Sequence, residues 1–72
     1  MLPKRYHPDD QKWIEEQLKK LPTIALHRAI EGYEKVFAES YDNEPITYKK
    51  ENKARHDANT RLREYVEKII AM

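Results

Sequence analysis

An all-α fold is predicted by three observations. Prolines at positions 3, 8, 22 and 45 divide the chain into helix-length stretches, one glycine and no cysteine leave few turn or staple residues, and apolar side chains recur at helical spacing. The 72 residues allow one domain, spanning 1–72. Short connections favour antiparallel neighbours, so the expected architecture is a three-helix antiparallel bundle, or a long helical hairpin with a short N-terminal helix, as a monomer or a dimer. The helices are placed at about 8–21, 23–41 and 45–70, after an N-terminal tail of residues 1–7.

The first helix opens at Pro8, whose missing N–H costs nothing at a helix start, and Asp9 and Asp10 follow where negative charge suits the helix dipole. His7 lies beside this start. Ile14, Leu18 and Leu21 share one face with Trp13 beside them, Lys19 and Lys20 suit the C-terminal end, and Pro22 stops the helix. Thr23 is the expected N-cap of the second helix. There Leu26, Ala29, Ile30, Tyr33, Phe37 and Tyr41 form the widest apolar stripe of the chain, with Val36 on its flank and Gly32 on the polar side. Asp42, Asn43, Glu44 and Pro45 supply a turn and the start of the third helix. On that helix Ala54, Ala58, Leu62, Tyr65, Val66 and Ile69 make one continuous face, and two alanines on it imply a close approach of a neighbouring helix.

Much chemistry is excluded by residue type. His7, His27 and His56 do not pair with one another at the i, i+3 or i, i+4 spacing of a helical metal site, so no metal is expected. One serine, no cysteine and one glycine leave no nucleophile motif, phosphate-cradling loop or dinucleotide fingerprint. The acids fall where a solvated helix face puts them, and a chain of this size has little interior for a pocket. A non-enzymatic protein without cofactor or small-molecule substrate is therefore expected. No apolar run approaches the roughly 20 residues that cross a bilayer, and Met1–Pro8 lacks the apolar core of a secretory signal, so the expected location is the cytoplasm.

A formal net charge of +1 conceals a dipolar chain. Between residues 31 and 44 five acids face Lys35 alone, a net of minus four; between 46 and 63 six bases face Glu51 and Asp57, a net of plus four. Lys49, Lys53, His56 and Arg63, with Thr60 among them, share one face of the third helix and form a candidate nucleic-acid-binding stripe. Acid-first pairs at i, i+4, namely Glu51 with Arg55, Asp57 with Arg61 and Glu64 with Lys68, together with Arg63 near Glu67, can answer much of this charge within the helix itself. An antiparallel second helix would set its acidic half beside the same bases.

Trp13, Tyr48, Ile69, Ile70 and Met72 stand at the edges of their stripes or at the chain end. A small bundle does not cover them all, and they are the candidate partner surface. The segments Tyr6-His7-Pro8-Asp9-Asp10 leading into Trp13-Ile14-Glu15, Gly32-Tyr33 to Pro45, Lys50 to Arg55 and Asn59 to Val66 are similar to those of short helical proteins of tailed phages and prophages of enterobacteria. That resemblance carries no functional residues and implies a bacterial cytoplasm and an accessory role. The expected function is interaction with a host or phage protein, or self-association; nucleic-acid binding through the basic stripe is the alternative.

Overall fold

The computed structural model describes residues 1–71, so Met72 lies outside the described residues. Three helices form: α1 over Gln11–Leu18, α2 over Thr23–Asn43 and α3 over Lys50–Ala71. Short 3-10 turns at Pro8–Asp10 and Thr47–Lys49 lead into α1 and α3. The chain among the described residues is helical without strands, and compact, with a radius of gyration of 12.0 Å.

Proline explains where the helices stop and start. α1 ends at Leu18 and not at Leu21, because the residue before a proline is pushed out of helical geometry. The chain instead tightens, Lys20 N–H donating to Gln17 O and Leu21 N–H to Leu18 O, both at 3.1 Å. Thr23 is the first helical residue and not the cap; Pro22 occupies the cap position in extended geometry, and its carbonyl accepts from Leu26 N–H at 2.8 Å. Pro45 likewise does not begin α3. Glu44 and Ile46 on either side of it are extended, and the helix starts only at Lys50. At the other end His7 caps the first turn, its Nδ1 accepting from Asp9 N–H at 3.0 Å.

The core is built from all three helices. Ile14 and Leu18 of α1, Ala25, Ala29, Ile30, Tyr33 and Phe37 of α2, and Ala54, Ala58, Leu62 and Val66 of α3 are buried, with Leu21 between α1 and α2. The face predicted on α3 is therefore the buried one, and Tyr65 and Ile69 pack at its margin. α2 and α3 meet in reverse order along the chain. Lys50 Nζ donates to Tyr41 O at 3.2 Å and to Glu44 O at 2.6 Å, Ser40 pairs with Asp57, and Ala29 lies beside Leu62. Lys50 thereby fills carbonyls at the C-terminal end of α2, where positive charge is favoured.

Residues 1–7 are not a free tail. Pro3 is buried, Leu2 and Tyr6 pack against the core, and the Arg5 guanidinium lies 5.4 Å from the Phe37 ring centroid and 5.1 Å from that of Tyr41. The Lys4 N–H donates to the Glu34 carboxylate. These contacts hold the arm across α2.

Gly32 sits within α2 with open space where a side chain would project, since a Cβ there meets nothing within 4 Å. Nothing in the fold requires glycine. Gly32→Ala is expected to stabilise the chain by about 0.5–1 kcal/mol through helix propensity and a less flexible unfolded state, seen as a higher urea midpoint with an unchanged slope.

Candidate functional site

The bases of α3 have partners that helical spacing did not foretell. Arg55 is within reach of Glu51 by sequence, yet it holds Asp10 with two parallel bonds, Nε to Oδ2 at 2.8 Å and Nη2 to Oδ1 at 3.0 Å. Asn59, one turn further along α3, donates Nδ2 to the same Oδ2 at 3.1 Å, and its Oδ1 accepts from the Tyr33 hydroxyl at 2.5 Å. A polar chain thus runs from α2 through α3 to the turn that precedes α1. The charge-assisted bonds from Arg55 hold the Asp10 carboxyl below its ordinary range, partly opposed by desolvation, with Asn59 adding to the effect. Burial raises the Tyr33 hydroxyl above its usual value, and the nearby Asp10 charge adds to the shift.

The expected intrahelical pairs are replaced elsewhere too. Asp57 accepts from Ser40 Oγ at 2.6 Å and from Lys53 Nζ at 3.2 Å, and pairs with Lys53 rather than Arg61. The Ser40 bond foremost, then Lys53, lowers the Asp57 carboxyl. His7 Nε2 lies 3.4 Å from Glu51. Among the described residues, Glu64 with Lys68 and Arg63 with Glu67 form no ion pair.

The predicted stripe is only partly one surface. Lys49 belongs to the 3-10 turn before α3, whereas Lys53, His56, Thr60 and Arg63 follow on the helix. His56, Thr60 and Arg63 line an open groove of about 360 Å³ between α3 and the start of α1, with Asn59, Asp10 and Trp13 completing it. Trp13 packs against the core as a partly buried side chain and also borders this polar groove, beside the middle of α3. Tyr48, 80% exposed, precedes α3, and Ile70, 59% exposed, is near its last turn. At about 1.5 Å per residue these two stand some 30 Å apart, so Tyr48 and Ile70 lie toward opposite ends of α3.

Asp10, Arg55 and Asn59 are the residues that helical spacing missed. Asn59 carried a signal: asparagine disfavours a helix interior because its side chain competes for hydrogen bonds, so its presence mid-helix points to a tertiary partner. Among the described residues, no group of three His, Cys, Asp or Glu side chains is placed to hold a metal ion, and no helix is long and apolar enough to cross a membrane. The chain matches no known family, no characterised protein and no solved structure.

Proposed function

We propose that the protein is a non-enzymatic helical interaction module that associates with itself or with a host or phage protein. We read its arrangement as an antiparallel α2–α3 hairpin with α1 and the N-terminal arm laid against it. One observation carries the functional reading: apolar side chains remain uncovered at one end of this hairpin. Met1 is 75% exposed and lies by Leu18 and Leu26, and Ile24 is 72% exposed at the start of α2. The reversed register carries the C-terminal turn of α3, with Ile69 and the exposed Ile70, to that same end. Apolar side chains gathered on a small charged domain mark contact surfaces more often than isolated ones do. An accessory role in a bacterial cytoplasm is part of the same proposal.

Sedimentation across a wide concentration range tests this. The wild-type chain should self-associate or recover a protein partner from a host lysate, and Ile24→Glu with Ile70→Glu should abolish that while leaving helicity intact. A chain that remains a compact monomer at every concentration and recovers no partner would defeat the reading.

A second reading, nucleic-acid contact through α3, is favoured by the groove that sets Trp13 beside His56, Thr60 and Arg63. Phosphate contacts would make such binding fall steeply with salt, whereas an apolar interface responds weakly.

A further inference from the structure

The groove between α1 and α3 brings an aromatic side chain together with a basic and a hydroxyl one. One wall is Trp13, half-buried against the core and lining the groove. The other wall is α3, which contributes an imidazole, a hydroxyl and a guanidinium from His56, Thr60 and Arg63. Arg63 is exposed and, among the described residues, has no ion-pair partner, so its five donors stay available to an incoming anion. The carboxylate in the lining is Asp10. Its charge is already answered by the two bonds from Arg55 and the one from Asn59, which removes most of the repulsion it would offer an anion.

We propose that this groove is a site for one nucleotide unit, with the base stacked on Trp13 and the phosphate held by Arg63, Thr60 and His56. The inference rests on the second reading above and deepens it. Any base offers a flat π face to an aromatic side chain, and a guanidinium matches two phosphate oxygens at once. A volume of about 360 Å³ suits a single small ligand. Duplex bases hide their faces in the stack, so only a free mononucleotide or a nucleotide within a single strand can use the indole. Lys53 continues the stripe along α3 beyond the groove, with its ammonium shared with Asp57 at 3.2 Å, and Lys49 follows in the 3-10 turn that precedes the helix.

The protein has one tryptophan, so its fluorescence reports on this groove directly. The probes are thymidine monophosphate, a ten-base oligothymidylate, a duplex of the same length and inorganic phosphate, each at low salt. Saturable quenching by the monophosphate or the oligothymidylate is expected. Equal affinity for the two identifies the free nucleotide as the source, and at least tenfold tighter binding of the strand identifies the single strand. Arg63→Glu should weaken binding about tenfold with unchanged circular dichroism. Trp13→Phe, followed by anisotropy of a labelled strand, should weaken it less than Arg63→Glu. If the strand binds by anisotropy without quenching, or the duplex or inorganic phosphate binds as well as the strand, the nucleotide site is wrong while backbone contact through α3 survives. If none of the probes binds, both are lost.

Discussion

Leu62→Ala is expected to lower the free energy of unfolding by about 3 kcal/mol, the largest effect of any single truncation considered for this chain. Leu62 is fully enclosed in the core, on the same buried face of α3 as the smaller residues Ala54 and Ala58. Removing its branched end deletes about three buried carbon groups and leaves a void that α2 cannot collapse into, because the alanines already hold the helices near contact. A chain of 72 residues has a total stability of roughly 4–11 kcal/mol, so this one change removes between a quarter and most of it. Thermal unfolding should fall by about 12 °C or more, since each kcal/mol moves the midpoint of so small a domain by about 4–8 °C. Ile70→Ala is the control. On the same helix but exposed, it should move stability by less than about 0.5 kcal/mol, and a comparable loss there would show that the C-terminal turn packs against something the core does not contain.

The α3 face was legible from sequence because burial follows a period that the residues repeat for about three turns. Ala54, Ala58, Leu62 and Val66 recur at i, i+4, and nothing else in that stretch competes for the interior. The same logic identified Ala29, Ile30, Tyr33 and Phe37 on α2. It missed Ser40, which is buried because a hydrogen bond to Asp57 satisfies its hydroxyl across the helix pair. Helix ends were less legible. Proline marks where a helix cannot continue, but the tight turn before Pro22 and the extended residues Glu44 and Ile46 on either side of Pro45 displace the true boundaries by several positions. Ion pairs were least legible. A pair at i, i+4 is worth a few tenths of a kcal/mol, so a bidentate partner brought in by tertiary folding displaces it, as Asp10 does for Arg55. The grouping of Trp13 with the basic residues depends on the same event. Spacing along α3 finds His56, Thr60 and Arg63, but only the packing of the Pro8–Asp10 turn against α3 brings the indole to them.

Asp10→Ala should cost about 2 kcal/mol in urea unfolding, between the fraction of a kcal/mol of a surface pair and the several of a fully buried one. The carboxylate and guanidinium are largely but not fully shielded, with side-chain exposures of 15% and 27%, so Arg55 can recover part of its hydration when its partner is lost. Asn59 then loses an acceptor for its amide, and Tyr33 loses the fixed orientation of its own. The double variant Asp10→Ala with Arg55→Ala should cost less than the sum of the two single changes, by about 1 kcal/mol, because each single change alone leaves a charge without its partner. Acid unfolding supplies an independent check with a definite sign. Asp10 and Asp57 are held below the ordinary carboxylate value in the folded chain, the first mainly by Arg55 and the second mainly by Ser40. The unfolded chain therefore takes up protons first as pH falls below about 4, and stability is present above that value and lost progressively beneath it. Asp10→Asn removes one of the two groups, so its stability at neutral pH should be lower while its further decline between about pH 4 and pH 2 is shallower than that of the wild type. A decline of equal steepness would mean that Asp10 gains no protection from protonation in the folded state, and that the Arg55 bonds are absent in solution.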